Sequence, residues 1–194
     1  MQGRLVEKYQ GRYQAHPIDY WQAEFPIAKE LGLHCIEFIL DFNDSAQNPL
    51  LNSAGIEEIQ ALTELTGIQV ATICADYFME APFHSDHQKK SEEILKCLIE
   101  NAKELNIIDI VIPCVDQSTL KKKKDINMFV SSISKMLPLA EKNDIFINFE
   151  TDLNPSKFKN LLNKFNSTNI KVNYDIGNSA SLGYNPKEEF KAYG

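Results

Sequence analysis

The sequence predicts an α/β fold of the (β/α)8-barrel type, a parallel sheet with helices packed over it, in a single domain. Apolar strand-like runs alternate with amphipathic helix-like segments along nearly all 194 residues, a pattern that leads to a parallel sheet covered by helices. No G-x-G-x-x-G or G-x-x-x-x-G-K-[ST] turn is present, which argues against an open doubly wound nucleotide-binding sheet. Polar residues gather instead at the ends of several strands, which is how a barrel assembles a site.

Each element has its own warrant. Gln2-Gly3-Arg4-Leu5 reads as the stub of a first strand. A helix is expected from Asp19 to Leu31, with Trp21, Phe25 and Ala28 on one face and Gly32 as its stop. Pro26 inside it marks a kink or a fresh first turn. The apolar run Cys35 to Leu40 is the second strand. A helix from Gly55 to Thr66, closed by Gly67, leads to the third strand, Ile68 to Ala75. A loop from Asp76 to Asp86 precedes a helix whose apolar face is Ile94, Leu95, Leu98, Ile99, Ala102 and Leu105. Ile107 to Val115 is the fourth strand. The next helix, Asp125 to Lys142, is expected to be interrupted at Pro138, and Ile145 to Glu150 is the fifth strand. Asn154-Pro155 supplies an N-cap and a first-turn proline for a helix carrying Phe158, Leu161, Leu162 and Phe165. Ile170 to Tyr174 is the sixth strand, and Asn185-Pro186 repeats the capping signal.

Composition narrows the function classes. The net charge of -7 leaves no basic footprint for nucleic acid or for an anionic membrane surface. No apolar run is long enough to span a bilayer. The N-terminus lacks a signal-peptide core, so a cytoplasmic location is expected. Cys35, Cys74, Cys97 and Cys114 form no C-x-x-C pair and read as small buried apolar residues. G-x-S-x-G and H-E-x-x-H are absent, which removes support for serine hydrolase and zincin chemistry.

Two strand ends draw the chemistry. Glu150 closes the fifth strand and Asp175 follows the sixth. In a parallel barrel the two lie side by side at one rim, where paired carboxylates repel unless a cation or a shared proton intervenes. Such a pair suits Mg²⁺ or Mn²⁺. The competing reading is that Asp175 caps the following turn and Glu150 pairs with a lysine. Glu37 either points into the barrel or pairs with a group such as Arg4. Asp76, Tyr77 and Phe83 read as a lid over a small ligand or as a plain surface loop. His84 and His87 read as solvated helix-start residues ahead of ligands, and Lys121 to Lys124 as a solvated loop or, as the alternative, a phosphate contact; His16 and His34 have no partner in view.

With these residues in place, the chain resembles the xylose-isomerase-like TIM-barrel superfamily of sugar phosphate isomerases and epimerases. The likeness rests on Met1-Gln2-Gly3-Arg4-Leu5, on Glu30-Leu31-Gly32 running into Ile36-Glu37-Phe38, on Phe149-Glu150, and on Tyr174-Asp175-Ile176-Gly177-Asn178. It implies a divalent metal, Mn²⁺ or Mg²⁺ with Co²⁺ or Zn²⁺ as alternatives, held by a Glu, an Asp, a His and a second Glu. Glu150 and Asp175 match the first two. The implied reaction removes a proton next to a carbonyl through an ene-diolate, with Glu150 as one of two acid/base groups. Arg4, Glu37, Asp76 and Asn178 are the expected contacts to a sugar or sugar-phosphate substrate; the epimerases often carry His where Asn178 stands.

A barrel of this kind takes about 250 residues. The expectation is therefore an incomplete barrel of six βα units, with a first-strand stub and strands seven and eight missing. The metal-ligating His and second Glu then lie beyond the frame, and the chain alone is inactive. Two alternatives stand beside this: a non-catalytic barrel remnant that binds a partner, and a relative of abasic-site endonucleases. A homo-oligomer or a completing segment is the partner expected for the open sheet.

Overall fold

The computed structural model describes residues 1–194. Helix α1 (Glu24–Glu30) precedes strand β1 (Cys35–Ile39), and α2 (Ser53–Thr66) leads to β2 (Gln69–Cys74). After the single turn α3 (Tyr77–Glu80) and the long α4 (Gln88–Glu104) comes β3 (Asp109–Cys114). Helix α5 (Lys123–Lys142) leads to β4 (Phe146–Thr151) and α6 (Pro155–Leu162) to β5 (Ile170–Val172). Helices α7 (Ile176–Ser181) and α8 (Pro186–Tyr193) follow.

The five strands are all parallel and lie in the order β1-β2-β3-β4-β5. Each strand is added beside its predecessor, with no reversal of direction across the sheet. A doubly wound sheet reverses at its switch point, whereas a barrel winds one way, so the strand order carries the barrel assignment.

The structure corrects the sequence reading at several points. There are five strands, because the expected stub Gln2 to Leu5 is irregular. The first helix opens as a 3-10 turn, Trp21–Ala23, and Pro26 then sits in the first turn of α1, where a missing N–H costs little. Helix α5 runs unbroken through Pro138 while burying Leu137 and Ala140 beside it; packing holds a helix that local chemistry disfavours. Helix α7 was not expected, and Cys35 is exposed rather than buried.

Local signals fix the other boundaries. The Asn52 side chain accepts from Gly55 N–H at 2.8 Å to start α2, and Gly67 ends it in the left-handed region at φ 79°. At Gly55 a Cβ would stand 2.3 Å from Pro49 Cα, so that turn of helix packs against bare backbone.

Alternation gives the sheet two unlike faces. Phe38, Leu40, Ile73, Ile110, Ile112, Ile147 and Phe149 join one core with Leu95, Leu98 and Ile99 of α4 and Phe129 and Ile133 of α5. Phe129 meets Phe149 edge-on at 5.0 Å between ring centres. The other face carries Glu37, Thr72, Cys74, Asn148 and Glu150, with Ile39 and Val111 buried among them.

The two sheet edges also differ. On the outer side of β1, Glu37 C=O accepts from Gln2 N–H at 2.8 Å. Ile39 N–H donates to Gln2 Oε1 at 3.0 Å, and Ile39 C=O accepts from Asn48 Nδ2 at 2.9 Å. Two side-chain amides thus do the work of a neighbouring strand. On β5, Asn169 C=O and Asn173 N–H pair inward with β4, which turns the backbone groups of Ile170 and Val172 to the open side. The N-terminal segment is tied down by Glu24, whose Oε1 accepts from Gly3 N–H at 2.7 Å and Leu5 N–H at 3.3 Å. Gly3 must be glycine there: its φ is 79° and a Cβ would lie 2.4 Å from the carbonyl oxygens of Tyr13 and Ala15.

Candidate functional site

Glu150, near the end of β4, is half-buried and both its oxygens are engaged. Asn173 Nδ2 donates to Oε2 at 2.7 Å and Asn178 Nδ2 donates to Oε1 at 2.8 Å. Asp175 caps α7, its Oδ1 accepting from Asn178 N–H at 2.7 Å. Asn178 therefore links the two carboxylates, backbone to one and side chain to the other. Both readings of Asp175 survive together, since a capping oxygen still leaves Oδ2 without a bond inside the chain. No lysine pairs with Glu150; the two amides take that place.

Two further carboxylates stand at neighbouring strand ends. Thr72 Oγ1 donates to Glu37 Oε1 at 3.2 Å, across the register that pairs Glu37 with Thr72. Cys74 Sγ donates to Asp76 Oδ1 at 3.1 Å. Burial pushes the Glu150 carboxyl up; Asn173 opposes this, while Asp175, Asp76 and Glu37 push it further up. Burial likewise raises Asp76, opposed by the bond from Cys74 and assisted by Asp41 and Glu37. These mutual effects place Glu37, Asp76, Glu150 and Asp175 in one electrostatic neighbourhood.

Other expected residues fall elsewhere. Arg4 is exposed and donates to Gln14 Oε1 at 3.2 Å, so it is not the partner of Glu37. Tyr77 and Phe83 are core residues, 4% and 1% exposed, stacked through Phe78, and form no lid. His16 has partners after all: its Nδ1 lies 3.1 Å from Gln2 Oε1 and its N–H donates to Asp41 Oδ2 at 2.8 Å. Sequence reasoning missed Asn173, although it lies two residues before Asp175 and so on the same face of an extended strand. It also missed Thr72, Asp41 and Arg12, and for Arg12 no local signal existed.

For a metal, Glu150 and Asp175 offer two carboxylate donors from adjoining strand ends. No group of three or more His, Cys, Asp or Glu is arranged to hold an ion. The pair fits half of an oxygen-rich divalent site: Asp175 helps to push the Glu150 carboxyl up, and a cation between the two would relieve that repulsion.

None of the curated proteins matches the chain. Among solved structures, it is similar to a xylose isomerase-like TIM barrel protein from Mycobacterium smegmatis in complex with magnesium, with a TM-score of 0.72 and 15% identity over 98% of this chain and 68% of that one. D-psicose 3-epimerase with D-tagatose, from Clostridium cellulolyticum, gives 0.69 and 16% over 90% of this chain and 65% of that one. 3-Keto-D-glucoside 4-epimerase, YcjR, from E. coli gives 0.63 and 16% over 89% of this chain and 71% of that one. The chain thus spans 65% to 71% of their lengths, and at these identities the likeness is one of fold. No helix is long and apolar enough to cross a membrane. The family description "xylose isomerase-like TIM barrel" matches residues 25–194, and the chain belongs to that family.

Proposed function

We propose that this chain is a sugar isomerase/epimerase family member built for metal-assisted proton transfer next to a carbonyl, with Glu150 as the acid/base group and Glu150 and Asp175 as ligands to Mn²⁺ or Mg²⁺. The observation that carries the reading is Glu150 itself: a half-buried carboxylate at a strand end, held by two amides and raised by burial and by three neighbouring carboxylates. A raised carboxyl holds a proton more readily than an ordinary one, which suits an acid/base group. The magnesium and D-tagatose of the similar structures support a divalent ion and a sugar ligand.

A bound divalent cation supplies charge that polarises a carbonyl and stabilises the oxyanion formed from it. The chain's own residues do the rest. Asn173 fixes the Glu150 carboxylate through Oε2, and Asn178 sets the spacing between Glu150 and Asp175. Glu37 and Asp76 present acceptors for substrate hydroxyls. No group of three or more His, Cys, Asp or Glu is arranged to hold an ion, so the proposed metal donors are the pair Glu150 and Asp175. The 194-residue chain alone is therefore proposed to bind Mn²⁺ weakly and to lack turnover.

The test is titration of the chain with Mn²⁺ followed by electron paramagnetic resonance. Weak binding that disappears in Glu150→Gln and in Asp175→Asn supports the reading. Binding unchanged in both variants overturns the metal assignment, and rapid solvent-deuterium exchange into a ketose by the chain alone overturns the claim of inactivity. A second reading, a non-catalytic barrel that completes its sheet with a partner, draws on the open outer edge of β5 and on Ile176 and Phe190, which are 73% and 57% exposed.

A further inference from the structure

A cavity of about 400 Å³ opens at the ends of β1 and β2. Its wall includes Arg12, Asp41, Asn43, Asp76 and Glu80, with Phe42 as an apolar side. None of these but Asp76 was expected to take part in function. Arg12 comes from the N-terminal segment that Glu24 and Gln2 hold against β1. Its Nη1 lies 3.0 Å from Asp41 Oδ1. Asp41 does not swing away, because its other oxygen accepts from His16 N–H at 2.8 Å. Asp76 belongs to both places: it lines the cavity, and it is near enough to push the Glu150 carboxyl up.

We propose that this cavity is a substrate subsite that grips the end of a neutral polyhydroxylated ligand remote from Glu150, and that it selects a free sugar over a sugar phosphate. The inference rests on the sugar isomerase/epimerase reading above and decides between its two substrate classes. Carboxylates, a guanidinium and an amide around one wall match a run of hydroxyls, each of which both donates and accepts. The face of Phe42 suits the C–H side of a sugar ring or chain.

The charge balance excludes the alternative. One guanidinium faces three carboxylates, Asp41, Asp76 and Glu80, and Asp41 has already taken its charge. With Asp76 protonated, two carboxylates still stand against one cation. A phosphate carries about -1.5 to -2 charges near neutral pH and would enter a cavity already rich in anions. Glu37, Glu150 and Asp175 add to that field from the adjoining strand ends. A phosphate subsite wants the reverse: unpaired arginine, or backbone N–H groups converging on one point.

Saturation-transfer NMR on the full chain, with D-tagatose and D-tagatose 6-phosphate as the probes and no metal added, tests this. The free sugar is expected to bind about tenfold more tightly than its phosphate. Arg12→Ala, at an exposed side chain, is expected to weaken the free sugar about fivefold. Glu80→Lys is expected to strengthen binding of the phosphate. Equal or tighter binding of the phosphate by the unaltered chain overturns the proposal, as does no binding of the free sugar or no effect of Arg12→Ala. The two readings fail separately. Loss of the Mn²⁺ result with sugar binding intact removes the proposed reaction and keeps the subsite. Mn²⁺ binding without sugar binding does the opposite.

Discussion

Acidification is expected to loosen this protein through one histidine. His16 is 3% exposed, with its ring 5.4 Å from that of Phe38 and 6.1 Å from that of Trp21. Its Nδ1 is satisfied by Gln2, while Nε2 is buried without a partner. Protonation would place a charge on that empty side. Burial accordingly pushes the imidazole down to about 4, against the weaker pull of Asp41 in the other direction. The unfolded chain binds its proton near 6.5. The folded value is the lower one, so the contribution is whole above about pH 6.5 and is lost as the pH falls towards 4. Between about pH 7.5 and pH 5.5 the loss is about 1 kcal/mol, which moves a urea midpoint by about 0.5 M. Buried carboxyls with raised values, Glu24 among them, work in the opposite sense, so the difference between the unaltered chain and His16→Gln is what isolates the histidine. Trp21 is the sole tryptophan and sits beside the ring, so its fluorescence reports the transition. His16→Gln should flatten the dependence, leaving the smaller share of His84, which burial also lowers. Equal midpoints at the two pH values, or an unchanged drop in His16→Gln, would refute the reasoning.

Two other outcomes follow from the packing. Gln2→Ala removes the acceptor for Ile39 N–H and for His16; it should cost about 1–3 kcal/mol in urea unfolding and speed amide exchange at Ile39, and unchanged exchange there would count against the capped edge. Gly55→Ala would gain roughly 0.5–1 kcal/mol in an open helix, but here the new Cβ meets Pro49 Cα at 2.3 Å. A loss of about 1–3 kcal/mol is therefore expected, and the sign of the shift in thermal midpoint decides it.

The alternation of strands and helices was legible because each leaves a periodicity in the chain, and Gly67 and Asn154 sit where a stop and a cap must. The misreadings share a physical cause: tertiary contacts that leave no local trace. Nothing near Gln2 announces that its side chain will stand in for a strand. Pro138 argues against a helix that packing sustains. Tyr77 and Phe83 look like loop aromatics until Phe78 joins them to the core. Glu150 and Asp175 were legible as strand-end carboxylates, and their pairing through Asn178 was not, since it depends on a turn of helix that no pattern marks. Arg12 reaches Asp41 across 29 positions of sequence, a contact only the fold creates.

The unlike edges of the sheet set a limit on self-association. Head-to-tail growth of a filament requires every molecule to offer two complementary reactive ends. At β1 the amides of Gln2 and Asn48 have already consumed the outward groups of Glu37 and Ile39. In the language of polymer chemistry, Gln2 is a chain terminator: it closes that end of the sheet to growth by strand pairing.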